Sequence, residues 1–158
     1  MAKLIIRQAG DPVLREKALP VARIDKSIHK LLDNMAETMY AAAGVGLAAP
    51  QVGEKKRVVV IDAGDGLLEL INPRIVASEG TQTCKQEGCL SFPGLFGEVE
   101  RAGKIKLEAV NRRRQKIFLA AEGIKAQAIQ HEIDHLDGIL FIDRATSISK
   151  QEEKKAEG

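Results

Sequence analysis

Gln130-His131-Glu132-Ile133-Asp134-His135 decides how the rest of this chain is read, because it sets two imidazoles four residues apart with a carboxylate beside the first. On an α-helix each residue advances about 100°, so His131 and His135 point the same way within roughly 40°, one turn apart, and can ligate one ion. Glu132 lies about 100° round from His131. That is the edge of such a site, where a base acting on metal-activated water should stand. The alternative is a helix whose histidines lie on a polar face; the apolar residues ahead of the motif favour the metal.

A catalytic site of this kind takes a third protein ligand and leaves a position for water. The only other histidine is His29, which falls off the apolar stripe Ile28, Leu31, Leu32, Met35, Met39 of an amphipathic helix and reads as solvated surface. Cys84 and Cys89 remain. Cys89 follows Gly88 and precedes Leu90 and the Pro93-Gly94 turn, a tight, backbone-exposed segment of the kind that builds sites. Cys84 reads as a half-buried strand residue. The pair could instead form a disulfide, but the chain begins Met-Ala-Lys without a secretory apolar stretch, so a cytosolic thiol is expected.

Gly44-Val45-Gly46-Leu47-Ala48-Ala49-Pro50-Gln51-Val52-Gly53 lacks the third glycine of a dinucleotide loop and the Gly-Lys-Ser/Thr ending of a P-loop, so nucleotide binding is not expected. Gly44 and Gly46 permit close backbone approach, and the polar amide of Gln51 follows a run of small side chains. That suits a strand which pairs with a peptide and ends by aiming an amide at its carbonyl. A helix stop at Gly44 followed by a loop is compatible with it.

Together these stretches resemble the peptide deformylase family. The Gly-x-Gly-Leu-Ala-Ala-x-Gln loop, the Glu-Gly-Cys-Leu-Ser segment at Glu87 to Ser91 and the Gln-His-Glu-Ile-Asp-His-Leu helix occur in the family's order, and the Leu140-Phe141-Ile142-Asp143 strand expected after the helix also fits. The chain departs at Phe92, where many members carry a small aliphatic residue; this bears on the width of the neighbouring pocket. In chemical terms, Cys89, His131 and His135 hold one divalent ion, Glu132 moves the water proton to the leaving amine, and Gln51 and the Leu90 backbone N–H stabilise the oxyanion. What the resemblance implies is a hydrolase of protein biosynthesis that removes the N-formyl group of formylmethionine from nascent polypeptides, releasing formate. The methionine side chain would enter a pocket formed by Ile124 and Ala128, one and two turns ahead of the ligands, and closed by Val45, with Gly44, Gly46 and Gly88 giving room to the peptide backbone. A Cys-His-His set reads as zinc by ligand softness. The family usually works with Fe2+, and Zn2+, Ni2+ or Co2+ can occupy such a site in purified protein.

Rivals are a zincin-like endopeptidase, which normally takes His or Glu as third ligand, and a structural metal module closed by Cys84. The 158 residues, 44% hydrophobic, suit a single catalytic domain over residues 1–158, with 147–158 as a solvated or frayed tail lacking an apolar stripe. The fold class expected is α+β, with mostly antiparallel sheets packed around a central metal helix (Ile124 to Asp137, stopped by Gly138) and an N-terminal helix from Asp25 to about Ala43. Short strands are expected at Arg57 to Ile61, Leu68 to Ile71, Arg74 to Ala77, Gly97 to Arg101, Lys104 to Val110 and Lys116 to Ala120. The excess of positive charge is 24 − 22 = 2, too weak to imply sequence-specific nucleic-acid binding, and no apolar run reaches the roughly 20 residues of a membrane span. Lys55-Lys56-Arg57 and Arg112-Arg113-Arg114 read as solvated turns. The arginine turn and the tail residues Lys150, Lys154 and Lys155 are nonetheless the candidates for weak docking to the ribosome near its exit tunnel. The expected location is the cytoplasm, or an organelle if a presequence was removed.

Overall fold

The computed structural model describes residues 3–150. Helix α1 (Lys26–Ala41) begins where Asp25 accepts from the backbone N–H groups of Ser27 and Ile28 at 3.0 and 3.3 Å, the capping geometry that an aspartate supplies to otherwise unpaired donors. Its end differs from expectation. The left-handed residue is Ala43 (φ 57°), not Gly44. Gly44 is small for another reason: a Cβ there would lie 2.7 Å from Leu90 Cδ1.

Six strands follow in one sheet: β1 (Gly46–Ala48), β2 (Val58–Ile61), β3 (Leu68–Cys89), β4 (Phe92–Val110), β5 (Lys116–Glu122) and β6 (Ser147–Lys150). They pair antiparallel in the order β1-β2-β3-β4-β5, with β6 beside β4. Helix α2 (Gly123–Leu136) packs into the concave face and the one-turn helix α3 (Phe141–Arg144) follows it. All four residues of β2 are buried because successive side chains face opposite ways. Val58 and Val60 join the α1 stripe, while Val59 and Ile61 join Ala126, Ile129 and Ile133 of α2.

Four expectations are corrected. First, the short strands on either side of Asn72-Pro73 and of Ala102-Gly103 are parts of β3 and β4, which pair along most of their length through bulges near Ile71, Ile75, Cys84 and Glu87. Asn72 takes a left-handed φ of 52° and its amide bonds the Val21 backbone N–H and C=O, so the strand bends without ending. Second, Phe141 to Asp143 are helical, with Leu140 as their extended N-cap, because Asp143 accepts from the Leu140 N–H at 2.9 Å and Phe141 turns into the core. Third, 147–150 are the strand β6, paired with Leu95 to Glu98 by backbone bonds that need no apolar stripe; 151–158 lie outside the described residues.

The fourth correction concerns one arginine in each basic cluster, since Lys55, Arg113 and Arg114 are exposed as expected. Arg57 donates to the Leu136 carbonyl at 3.0 Å and to Asp137 at 3.0 Å, closing the C-terminus of α2, where cations are favoured. Arg112 is bound by Glu69 and Asp33 at 2.6–2.8 Å, which raises its pKa further. Its carbonyl accepts from His29 Nε2 at 2.9 Å, so His29 is a half-buried tie, not free surface, and Arg114 donates to the Ile24 carbonyl at 3.1 Å. These arginines fasten α1 and the β4–β5 turn together.

Gly138 ends α2 with φ 75°, and a Cβ there would lie 2.5 Å from the Arg15 carbonyl oxygen, whereas Gly10 (φ 97°) has open space around it. Gly138→Ala should therefore cost more than the roughly 1–2 kcal/mol of left-handed strain alone. Gly10→Ala should show only that strain, and urea unfolding of the two variants compares them directly.

Candidate metal centre

The last turns of α2 are buried on all sides, which carries the motif's polar groups into the interior: His131, Glu132, Asp134 and His135 are each at most 9% exposed. Cys89 arrives from the end of β3, where Cys89 pairs with Phe92 across the β3–β4 turn. Its Sγ is 3.3 Å from His135 Nε2, and one donor atom from each of Cys89, His131 and His135 lies within 4.8 Å of the others. Ligands about 2.0–2.3 Å from a tetrahedral ion stand roughly 3.3–3.8 Å apart, so a small adjustment suffices to close the set on one metal. Cys84 is not in this group; its sulfur accepts from Gln127 Nε2 at 3.0 Å. A closed Cys2His2 site therefore lacks its fourth ligand among the described residues.

The electrostatics suit a cation. Burial and the charge of His131 push His135 well below the usual histidine range, whereas His131, despite its burial, is held well above it by Glu132, Cys89 and Glu87. Two adjacent buried imidazoles cannot both keep a proton, and the anions around them favour a positive ion in its place. Burial raises the Glu132 carboxyl to about 7. Its Oε1 is buried without a hydrogen-bond partner among the described residues, while Oε2 stands 3.9 Å from His131 Nε2. A buried carboxylate with one oxygen unpartnered and the other beside a candidate ligand atom fits an acid–base group.

Gln51 lies behind the Cys89 sulfur, 1% exposed. Its Oε1 accepts from the Ala48 N–H at 3.0 Å, and its Nε2 donates to Ser91 Oγ at 3.1 Å and towards Cys89 Sγ at 3.6 Å. A cavity of ≈ 710 Å³ opens beside the centre. Gly44, Val45, Gly46, Gly88, Cys89, Leu90, Ile124, Ala128, His131 and Glu132 line it, whereas His135 and Gln51, also nominated from sequence, do not. Phe92 also lines it, with its ring edge-on to Phe141 at 5.4 Å, and Phe141 in turn stacks 6.2 Å from His131.

With the geometry established, comparison places the chain. A family model described as polypeptide deformylase matches residues 3–151. The chain belongs to the polypeptide deformylase family. It is 56% identical to the peptide deformylase of Desulfitobacterium hafniense, covering 96% of this chain and 100% of that one. It is also 56% identical to the enzyme of Acetivibrio thermocellus, over 97% and 89%. The crystal structure of peptide deformylase from Thermotoga maritima superposes with a TM-score of 0.89 at 46% identity, covering 92% of this chain and 99% of that chain. A peptide deformylase from Synechococcus elongatus in complex with actinonin gives a TM-score of 0.88 at 44% identity, over 91% and 79%.

Several members of the site escape sequence reasoning. Glu87 Oε2 meets His131 Nδ1 at 2.5 Å, and Arg101 grips Glu87 through Nε and Nη2 at 2.8 and 2.5 Å while its Nη1 reaches Asp134 at 3.1 Å. Burial alone would raise the Glu87 carboxyl, but the bonds from Arg101 and His131 hold it down at about 2. Such a partner fixes the ligand's tautomer and ring orientation. Glu87 and Asp134 lie inside quoted motifs, yet no spacing joins them to Arg101. Gln130 is the other omission: its side-chain amide bonds both the N–H and C=O of Ala102 at 3.0 Å, a ladder partner for β4 beyond the end of β5.

Arg101→Met leaves Glu87 and Asp134 buried without their shared cation. Removing one partner of a buried ion pair costs about 3–5 kcal/mol. Thermal and urea unfolding should show a loss of that order, with a smaller loss in Arg74→Met, whose pairing with Glu108 is exposed.

Proposed function

We propose that this chain is a peptide deformylase: it hydrolyses the formyl amide at the N-terminal formylmethionine of nascent polypeptides, yielding formate and a free amine. The observation that carries the reading is the junction of Cys89, His131 and His135 with the buried Glu132 carboxylate, whose Oε1 has no hydrogen-bond partner among the described residues, at the wall of a peptide-sized cavity. We assign Cys89, His131 and His135 as metal ligands, with Fe2+ as the ion in the cell and Zn2+, Ni2+ or Co2+ as substitutes in purified protein. The thiolate, softer than a third His or Glu, separates this site from a zincin endopeptidase. Bound there, a divalent ion polarises a carbonyl and acidifies water.

The chain's own groups do the rest. Glu132 takes the proton of the attacking water and returns it to the amine nitrogen as the C–N bond breaks. The Gln51 amide and the Leu90 N–H donate to the developing oxyanion. Strand β1 positions the peptide. The Val45 carbonyl accepts from the Asp62 N–H at 2.8 Å and the Ala48 N–H turns away to Gln51, so by antiparallel alternation the N–H and C=O of Gly46 face the free edge. A substrate backbone can add there as a further strand. Val45, Ile124 and Ala128 receive the methionine side chain, with Gly44 and Gly88 keeping the entrance open. A ribosome contact, which we also propose, is not assigned to Arg112, whose charge is met by Glu69 and Asp33, nor first to Arg114, which donates to the Ile24 carbonyl. It falls to the exposed Arg113 and Lys150; Lys154 and Lys155 lie outside the described residues.

Anaerobically prepared protein should release formate from a formyl-Met peptide. Glu132→Gln should keep its metal and lose about 10²–10⁴-fold in turnover, whereas Cys89→Ala or His135→Ala should lose both metal and activity; substantial turnover in Glu132→Gln would refute its role. Gly46→Ala places a Cβ 2.8 Å from Glu132 Oε2. We expect it to retain metal and lose at least about tenfold in kcat/KM, since small misplacements of a catalytic group cost up to about 10²-fold. For the ribosome, Arg113→Glu with Lys150→Glu should weaken co-sedimentation, more so with added salt, at unchanged hydrolysis of a short peptide. Unaltered co-sedimentation in that variant removes the docking proposal and leaves the chemistry intact.

A further inference from the structure

Arg144 lies outside every motif that locates the centre, on α3, with its side chain 45% exposed. Its Nε donates to Asp134 Oδ2 at 2.5 Å and its Nη2 to Oδ1 at 3.0 Å. The same Oδ2 accepts from Arg101 Nη1 at 3.1 Å, and Arg101 directs its other donors to Glu87, the partner of His131. We propose that Arg144 is a positioning residue for the metal centre: by holding Asp134 it leaves the Arg101 fork on Glu87, and so fixes the His131 imidazole for the ion.

The physical argument is a competition for one guanidinium. Glu87 and Asp134 are both buried anions, and Arg101 is 5% exposed between them. A guanidinium is a rigid planar fork, so it cannot face two carboxylates bidentately along one edge. Here it gives Nε and Nη2 to Glu87 and a single longer bond to Asp134. That division is stable only because Arg144 supplies Asp134 with its own two-point partner. Without Arg144, a carboxylate 12% exposed keeps one bond, and the cost of an under-paired buried charge is lowered by drawing Arg101 towards Asp134. The movement loosens Glu87, and Glu87 is what orients His131. Anchorage of α3 itself is separate: Asp143 binds Arg15 at 2.6 and 3.1 Å and the Leu140 N–H at 2.9 Å.

The inference rests on the assignment of the metal ligands above, and the test separates the two. Full-length protein is loaded with Co2+ under anaerobic conditions, its affinity is measured by chelator competition, and the thiolate charge-transfer and d–d bands are recorded. Loss of a direct outer partner of a metal ligand weakens binding about 10–100-fold; Arg144 acts three links further out, so Arg144→Met should weaken Co2+ binding by about tenfold, with shifted d–d bands. Arg15→Met, which cuts the other anchor of α3, should bind as wild type. Arg144→Lys keeps the charge without the fork and should fall between, and it supplies the comparison if the methionine variant does not fold. Wild-type affinity and spectrum in the Arg144 variants, or an equal loss in Arg15→Met, would overturn the inference. A wild-type chain that takes up no Co2+, or Cys89→Ala that binds it unchanged, would overturn the ligand assignment and this inference with it.

Discussion

Arg101 is the charge on which the interior depends. Two carboxylates, Glu87 and Asp134, come out of water with it, and each would be costly there alone. With Arg144 the set sums to zero, and each carboxylate accepts at least two bonds. The same logic extends across the ligands to the centre. There Cys89 and Glu132 border the two imidazoles; with Cys89 ligating as a thiolate, as we propose, a divalent cation would cancel the two negative charges. The charge cluster behind His131 and the proposed cation in front of it would therefore be linked conditions on one imidazole: Glu87 bonds Nδ1, which leaves Nε2 as the nitrogen available to a metal.

Close packing around this cluster explains the glycines that border the cavity. A Cβ at Gly44 would meet Leu90, one at Gly46 would meet Glu132, and one at Gly88 would meet Phe96, each at 2.7–2.8 Å. None of the three has a positive φ. Their smallness therefore serves approach rather than backbone conformation. At Gly46 the two demands coincide, since the residue admits the Glu132 carboxylate and also presents its N–H and C=O to the free edge of β1.

How much of this was legible in the sequence follows from which signals are local. The helix bearing His131 and His135 and the α1 stripe were readable because both obey the 3.6-residue period. The cavity residues were readable because each lies in or beside a short motif. What failed depends on partners distant in sequence. Residues 78–88 carry almost no apolar alternation and become strand only through backbone pairing with β4. Ser147 to Lys150 are drawn into the sheet in the same way. Arg57 and Arg112 sit in charge runs typical of solvated turns, and only the tertiary fold supplies Asp137, Glu69 and Asp33 to hold them. Arg101 has no local signature at all, although it joins the two motifs that carry the site.

The turn between β3 and β4 ties the proposed chemistry together. Cys89, Leu90 and Ser91 are consecutive, so the metal ligand, the proposed oxyanion donor and the hydroxyl that accepts from Gln51 are placed by one stretch of backbone. Gln51 is held from the other side by the Ala48 N–H, and Ala48 belongs to the strand whose Gly46 we propose as the peptide's partner. The proposed pairing edge on β1 and the proposed oxyanion donors are thereby held in one frame. Donors fixed in this way need little reorganisation as charge develops, which is the condition under which hydrogen bonds to an oxyanion are worth most. The same frame limits tolerance: a shift of β1 that improved peptide binding would also move Gln51 away from Cys89.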